Sequence, residues 1–302
     1  MRVLVADDHK DAADSLAILL RMWGHDPVVV YDGFSAVARL QEPDAPPLAL
    51  LDWMMPGVNG IEICWLLRQD RNRPYTYIVL VTGKGGKDQM VSGLEAGADD
   101  YLVKPPDPSE LRARLNTAQR ILDLQDQLLA TQRLLHEQAT HDALTGLWNR
   151  LAILETLDRE VARSLRERRP LTIIMADLDH FKQINDSFGH LVGDSVLRQT
   201  AHRLLMTLRP YDTVGRYGGE EFLLVLPGCD AGSGFALAER LRSNISAEPT
   251  ADDDHPIQVT VSLGVATLQP GMSASELLRI ADEGLYAAKR AGRNRVESLL
   301  RT

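Results

Sequence analysis

Residues Arg216-Tyr217-Gly218-Gly219-Glu220-Glu221-Phe222 decide how the second half of this chain is read. On one side, Tyr211 to Val214 reads as a short strand; on the other, Phe222 to Leu226 is an apolar run that stops at Pro227. Two strands joined across a Gly-Gly pair predict a β-hairpin, because glycine takes the positive φ angles of the tightest turns without strain. Glu220 and Glu221 then stand side by side at the tip, where they repel each other unless a cation lies between them. That arrangement suits a hard divalent metal carrying phosphate, since Mg²⁺ takes few carboxylates and completes its shell with substrate oxygens. In isolation the same residues also fit a solvated acidic turn.

The surroundings separate these readings. Upstream, Leu171-Thr-Ile-Ile-Met-Ala-Asp177-Leu178-Asp179-His-Phe-Lys182 is an apolar strand that ends in acids. It continues into Asn185-Asp186 and Gly189-His190-x-x-Gly193-Asp194. Downstream come Thr260-Val-Ser-Leu-Gly264-Val-Ala, Ala281-Asp282-x-x-Leu-Tyr286-x-Ala-Lys289 and Gly292-Arg293-Asn294. Opening with Asp142-Ala-Leu-Thr-Gly-Leu-Trp-Asn-Arg150, the stretch from about Thr140 to Glu297 resembles the GGDEF domain of diguanylate cyclases in its GGEEF form.

By residue type, Asp177 and Glu220 are the expected metal ligands, with the Leu178 carbonyl beside them. Two Mg²⁺ ions so held would polarise the α-phosphate of GTP and lower the pKa of an attacking hydroxyl. Lys182, Lys289 and Arg293 would neutralise phosphate charge. The resemblance implies more. It makes Glu220 the proton acceptor for the ribose 3′-hydroxyl and Glu221 a supporting acid. It makes Asn185 and Asp194 the guanine-reading pair, and His190 a substrate contact. It implies a nucleotidyl-cyclase-like α/β sheet and a homodimer that joins two GTP into cyclic di-GMP. It also makes Arg209-Pro-Tyr-Asp212 an RxxD product-inhibition site, with Arg240 as the second arginine.

The first hundred residues alternate apolar runs with helical patterns. Strands are predicted at 2–6, 28–31, 48–51, 77–81 and 100–103, with helices at about 12–23, 36–40, 61–67 and 89–95. Such alternation implies a doubly wound parallel sheet with helices on both faces, and ligand sites at the carboxyl ends of its strands. Asp7, Asp8, Asp52, Thr82 and Lys104 each follow a predicted strand and should converge there. Three carboxylates, a hydroxyl and a lysine make a phosphate-handling site, with Asp7 and Asp8 on one Mg²⁺ and Asp52 as nucleophile. With Met54-x-Pro56-Gly57, Gly93-Leu-Glu-Ala-Gly-Ala-Asp-Asp-Tyr101 and Lys104-Pro105, residues 1–107 resemble a response-regulator receiver domain. The resemblance implies that a cognate histidine kinase phosphorylates Asp52. It also implies that Met54 and Asp52 complete the metal set, and that Thr82 and Tyr101 form the switch pair. Gly83-Lys84-Gly85-Gly86 departs from the usual pattern, which has Ala after the switch threonine.

Between these regions, residues 108–139 contain no helix breaker after Pro108, and Ser109 is placed to cap the start. Ile121/Leu122, Leu128/Leu129 and Leu134/Leu135 recur at heptad spacing, the last pair shifted by one, which fits a coiled-coil stalk or an amphipathic helix packed on its own receiver. Gln125 and Gln132 interrupt the leucine layers. The expected organisation is therefore receiver 1–107, stalk 108–139 and catalytic domain 140–302.

Composition narrows the partners. A net charge of −9 argues against general nucleic-acid binding, and no apolar run is long enough to span a bilayer. The first residues have acids where a signal peptide would carry its cleavage site, so a cytoplasmic protein is expected. Cys64 and Cys229 lack metal-ligand spacing and read as reduced thiols. Two other classes remain: a receptor for GTP or cyclic di-GMP, and a receiver-driven scaffold. The first expects loss of a hairpin acid or of Asp177, and both are retained; the second leaves the hairpin acids unexplained.

Overall fold

The computed structural model describes residues 1–70, 73–83, 87–252 and 255–299. It divides into two compact units, Met1–Thr131 and Gln132–Thr302.

The first unit is a parallel sheet. Strands β1 (Arg2–Ala6), β2 (Asp26–Val30), β3 (Leu48–Asp52), β4 (Tyr77–Thr82) and β5 (Asp100–Val103) lie in the order β2-β1-β3-β4-β5. Helices α1 (Lys10–Met22), α2 (Gly33–Leu40), α3 (Gly60–Gln69) and α4 (Lys87–Glu95) connect them, and α5 (Pro108–Thr140) leaves the last strand. Both faces of the sheet are covered. Ala13, Leu16 and Leu20 of α1 share one core with Leu111, Leu115, Ala118 and Leu122 of α5. Ala36 and Leu40 of α2 share the other with Ile63, Cys64 and Leu67 of α3. Burial on both faces explains why β3 reads Leu-Ala-Leu-Leu-Asp with no alternation: all five residues are buried. Local chemistry sets the helix starts. Asp32 accepts from the Ser35 amide, and Asn59 with Glu62 forms a reciprocal capping box.

The stalk is one helix of 33 residues, but its two ends have different surroundings. Leu111, Leu115, Ala118 and Leu122 follow a helical 4-3-4 spacing into the receiver core. Leu124, Leu128, Leu129, Leu134 and Leu135 are exposed.

The second unit is mixed. Its strands β6 (Leu171–Leu178), β7 (Thr213–Gly218), β8 (Glu221–Pro227), β11 (Val261–Thr267) and β12 (Val296–Ser298) lie in the order β12-β11-β6-β8-β7. β6 runs antiparallel to β8 and β11, whereas β12 joins β11 in parallel. A separate small hairpin pairs β9 (Thr250–Asp252) with β10 (His255–Ile257). Helices α6 (Arg150–Glu167), α7 (Phe181–Phe188), α8 (His190–Thr207), α9 (Ala231–Ala247) and α10 (Ala274–Arg290) complete the unit. The central strand β6 is buried throughout and sends alternate residues to opposite cores. Ile174, Ala176 and Leu178 meet α8 and α9 on one face, while Leu171, Ile173 and Met175 meet α6 and α10 on the other.

Several elements differ from expectation. β7 starts at Thr213 rather than Tyr211, because Arg209 to Asp212 form a turn: the Asp212 amide donates to the Arg209 carbonyl at 3.0 Å. β7 then runs on to Gly218 through a bulge between Arg216 and Gly218, so the turn is shorter than read. Helix α7, the β9–β10 hairpin and β12 were not anticipated.

Candidate functional site

In the first unit, Asp7 follows β1, Asp52 ends β3, Thr82 ends β4 and Lys104 follows β5. A parallel sheet brings these carboxyl ends to one edge, and the side chains meet there. The Lys104 ammonium lies 2.6 Å from Asp7 Oδ2 and 2.8 Å from Asp52 Oδ2. Burial raises the Asp52 carboxyl above its usual range, with Lys104 pulling against it and Asp7 adding to it. For Lys104, burial works against the ammonium, but the two carboxylates outweigh it and hold its pKa above the usual value. Asp8 is engaged by His9, whose Nδ1 lies 2.8 Å from Asp8 Oδ1, and the His9 amide donates to Asp7 Oδ1 at 2.9 Å. Asp7, Asp8, His9 and Asp52 offer ligand atoms within 4.8 Å of one another, an oxygen-rich set that fits a hard divalent cation. Met54 is exposed, and its amide lies 3.5 Å from Asp52 Oδ1. Thr82 is buried, and its carbonyl accepts from the Lys104 amide at 2.7 Å. Tyr101 sits half-buried on β5, opposite Leu80 and against the core that α2 and α3 share. Lys84, Gly85 and Gly86 lie outside the described residues.

In the second unit, pairing of β6 with β8 sets Asp177 opposite Glu221. Gly219, at φ +43°, takes the left-handed turn conformation and leaves Glu220 at the tip between β7 and β8. The Leu178 amide donates to the Glu220 carbonyl at 3.3 Å, so the tip is held against the end of β6. Asp177 is only 6% exposed. Burial pushes its carboxyl up to about 6, with Lys289 opposing and the charges of Glu220 and Glu221 adding. Lys289 arrives from the last turn of α10, with its ammonium 2.7 Å from Asp177 Oδ2. A buried carboxylate flanked by two more, with one lysine to balance them, is a place where a divalent cation relieves repulsion. The residues present therefore fit Mg²⁺.

Asn185 and Asp194 come from successive helices, and Gly193 lets the Asn185 side chain lie against α8. A Cβ on Gly193 would stand 1.9 Å from Asn185 Oδ1, so only glycine admits that carboxamide against the first turns of α8. Asp194 follows directly and is half-buried. Lys182 is exposed in the first turn of α7, and His190 is exposed as the first residue of α8. Arg293 is exposed in a left-handed turn beyond α10.

The RxxD residues share one corner. The Arg209 amide donates to Asp212 Oδ2 at 3.0 Å, and its guanidinium donates to the Tyr211 hydroxyl at 3.2 Å. Burial raises the Asp212 carboxyl, with the charges of Arg209 and Arg240 opposing. Arg240 reaches across from α9 to donate to the Thr207 carbonyl at 3.2 Å.

Three arrangements escaped the sequence reading. Asp142 receives Arg216 Nη1 at 3.2 Å, and Arg216 Nε donates to the Gly219 carbonyl at 2.8 Å, which ties the hairpin tip to the start of the domain. Asp179, two residues after Asp177, is buried beneath the site. In the first unit, Asp99 accepts from Arg68 Nη2 and the Ile78 amide, each at 2.7 Å, and from the Tyr75 hydroxyl. The clue to the first two was present, since both acids stand inside the motifs quoted above.

No helix among the described residues is long and apolar enough to cross a membrane.

Known proteins agree with this geometry. Residues 139–295 match the model of the diguanylate cyclase GGDEF domain, and residues 3–116 that of the response regulator receiver domain. The response regulator PleD of Caulobacter vibrioides is 35% identical over 298 residues, which is 98% of this chain. This chain covers 65% of that relative's length. Diguanylate cyclase DgcP of Pseudomonas aeruginosa is 39% identical over 70% of this chain and 32% of its own. Among solved structures, the coiled coil and GGDEF domain of DgcB from Caulobacter crescentus, in complex with c-di-GMP, superposes with a TM-score of 0.57. It is 33% identical and aligns over 63% of this chain and 99% of its own. Two units, a parallel sheet with an acidic edge and a mixed sheet with a GGEEF hairpin, thus carry both sets of family residues, and the chain belongs to the GGDEF diguanylate cyclase family, with a response-regulator receiver domain preceding the GGDEF domain.

Proposed function

We propose that this chain is a diguanylate cyclase whose output is set by phosphorylation of Asp52. The observation that carries the reading is that β6 sets Asp177 opposite Glu221, beside the hairpin tip that carries Glu220, with Lys289 2.7 Å from Asp177. Three acids and one lysine are the inventory that phosphoryl chemistry on a nucleotide requires. Asp177, Glu220 and the Leu178 carbonyl would hold Mg²⁺, two ions per site, which when bound polarise the α-phosphate and acidify the attacking hydroxyl.

The rest belongs to the chain's own side chains. Asn185 and Asp194 recognise guanine, the carboxylate accepting from the N1 and N2 donors that adenine lacks. Lys182, Lys289 and Arg293 hold the triphosphate, and His190 contacts the nucleotide. Glu220 takes the proton of the ribose 3′-hydroxyl with Glu221 in support. That oxygen forms a bond to the α-phosphorus of a second GTP, and the bond from the α-phosphorus to the bridging oxygen breaks, releasing pyrophosphate. Two such steps across a homodimer close cyclic di-GMP. One site cannot supply both nucleotides, so the geometry of the dimer controls the rate.

In the receiver, Asp52 accepts the phosphoryl group from a cognate histidine kinase, with Mg²⁺ on Asp7, Asp8, Asp52 and Met54. Lys104 and Thr82 bind the phosphoryl oxygens, and Thr82 with Tyr101 reports the change. The exposed leucines from Leu124 to Leu135 pair two stalks, which carries the change to the catalytic domains. Cyclic di-GMP bound by Arg209, Asp212 and Arg240 then limits its own synthesis in the cytoplasm. The test is incubation of the full chain with GTP and Mg²⁺, with and without beryllofluoride, followed by separation of the nucleotides. Cyclic di-GMP and pyrophosphate should form, faster with beryllofluoride. Binding of GTP with no product over many hours overturns the reading.

A further inference from the structure

Asp179 occupies a buried position that the catalytic scheme leaves without a role. It is 4% exposed and follows directly on β6, two residues beyond Asp177. Its carboxylate accepts three hydrogen bonds: from the Ser262 hydroxyl at 2.7 Å, the Thr260 hydroxyl at 2.8 Å and the Asn294 amide at 3.0 Å. Its own amide donates to the Thr260 carbonyl at 2.9 Å. A buried carboxylate is costly to desolvate and persists where donors surround it, so this one is committed to what its partners hold.

The partner that matters is Asn294. Arg293 and Asn294 are both left-handed, at φ +64° and +45°, directly after Gly292 at φ +114°. Asparagine adopts that region readily, but Arg293 does so only where its surroundings over-determine it. Three contacts do so here. The Asn294 amide is taken by Asp179, and the Asn294 side-chain oxygen accepts from Arg242 Nη1 of α9 at 3.1 Å. Behind the turn, the Arg293 amide donates to the Ala288 carbonyl at 3.0 Å, which joins it to the last turn of α10 beside Lys289. The turn thus presents Arg293 just beyond the helix end that carries Lys289, and the turn keeps a conformation that the chain would not hold alone.

We propose that Asp179 is a positioning residue for triphosphate binding. It locks the Gly292–Asn294 turn onto β11, so that Arg293 and Lys289 meet the phosphates from a preordered frame. It touches neither nucleotide nor metal. This rests on the proposed GTP site, and its test is built to fail separately from that reading.

Substitution separates a clamp from a charge. In Asp179→Asn, the carboxamide oxygen can accept from the Asn294 amide and the Thr260 hydroxyl, while its NH₂ donates to the Ser262 oxygen, so the clamp survives without the charge. In Asp179→Ala the Asn294 amide is left without its acceptor. The measurements are the KM for GTP and kcat of the full chain, together with hydrogen exchange at residues 292–296. Asp179→Ala should raise KM about tenfold, the equivalent of one charge-assisted hydrogen bond, with kcat changed less than threefold, and should speed exchange in the turn. Asp179→Asn should restore both to within about threefold of wild type. Arg242→Ala, which removes a more exposed contact, should give the same pattern at smaller amplitude and covers the case in which Asp179→Ala does not fold. The proposal is overturned if Asp179→Asn is as impaired as Asp179→Ala, which would assign the residue to the metal. It is equally overturned if exchange rises with KM unmoved, which would make the clamp structural only. Should the wild type show no turnover of GTP, the functional reading falls, and the exchange data with equilibrium binding of GTP still decide the clamp.

Discussion

The two sites use the same electrostatic device on different scaffolds. Each places an aspartate at the end of a strand, raises its carboxyl by burial and sets a lysine against it: Lys104 2.8 Å from Asp52, and Lys289 2.7 Å from Asp177. In the receiver the parallel sheet does the assembling, since every residue needed follows a strand whose carboxyl end lies on one edge. In the GGDEF domain only Asp177 and Glu221 stand at strand ends. Glu220 is on a hairpin tip, Lys289 on a helix end, Asn185 and Asp194 on two short-linked helices, and Arg293 on a strained turn. A parallel edge gathers its residues by topology; the antiparallel site must hold each of its own by local contacts. In the cyclase domain that support comes from struts through Asp142, Arg216 and Asp179.

The sharpest way to test the comparison is to remove one acid from each site. Glu220→Gln keeps the side-chain volume and removes the charge proposed to bind metal and to take the ribose proton. Turnover should fall by a factor on the order of 10² to 10³. Near wild-type cyclic di-GMP formation would remove Glu220 from the chemistry. Asp52→Asn should leave basal turnover in place and abolish the response to beryllofluoride, because the acceptor is gone while the cyclase site is untouched. A mutant that is still activated would show that the receiver edge is not the input.

What was legible in the sequence follows the same division. All five receiver strands could be read, because each is a short apolar run ending at a polar residue, and Asp7, Asp52 and Lys104 meet as that pattern implies. In the second unit β6 and the hairpin were legible, yet the turn at Arg209–Asp212 and the bulge after Arg216 shifted β7 by several residues. Such shifts come from side-chain-to-backbone bonds that periodicity does not register. β12 has three residues, too few for any period, and exists because β11 offers it an edge. Asp179 and Arg216 were visible as letters but not as struts, since their partners lie 115 and 74 residues away.

A second comparison concerns protons. In metal-free protein the Asp177 carboxyl is raised to about 6 from an ordinary value of 3.8. The folded state therefore holds this proton more tightly than the unfolded state. Its stabilising contribution is complete below the unfolded value and is lost as pH rises through about 6. The loss is on the order of 3 kcal/mol. Asp177→Asn should flatten the pH dependence of β6 amide exchange measured between pH 4.5 and 7 in EDTA. Asp52→Asn should do the same for β3, since burial raises that carboxyl as well. Flattening at one site only would mean that the two lysine-paired aspartates are not equivalent, and the comparison would break there.

The smallest expected effect tests the strut at the hairpin tip. Burial would raise the Asp142 carboxyl, but the Thr145 hydroxyl and amide and the Arg216 guanidinium hold it below its usual range. Thr145 contributes through 2.7 and 2.9 Å hydrogen bonds to Asp142 Oδ1, and these can survive replacement by asparagine. What Asp142→Asn removes is the charge facing Arg216. Arg216 would keep its bond to the Gly219 carbonyl and its contact with Oδ1 but lose the contact with Oδ2 and the opposing charge, so the tip carrying Glu220 would loosen without moving far. If the proposed site is right, the change should appear in kcat, set by where Glu220 sits, and not in the KM for GTP, set by contacts from α7, α8 and α10. We expect kcat to fall about fivefold, in line with the weakening of one charge-assisted hydrogen bond. The check is the initial rate at saturating GTP beside a full titration. If kcat is unchanged, β-sheet pairing alone holds the tip, and the antiparallel site would need no more support than the receiver edge. If KM rises while kcat stays, Asp142 acts on nucleotide binding, and the division of labour between the hairpin and the helices fails.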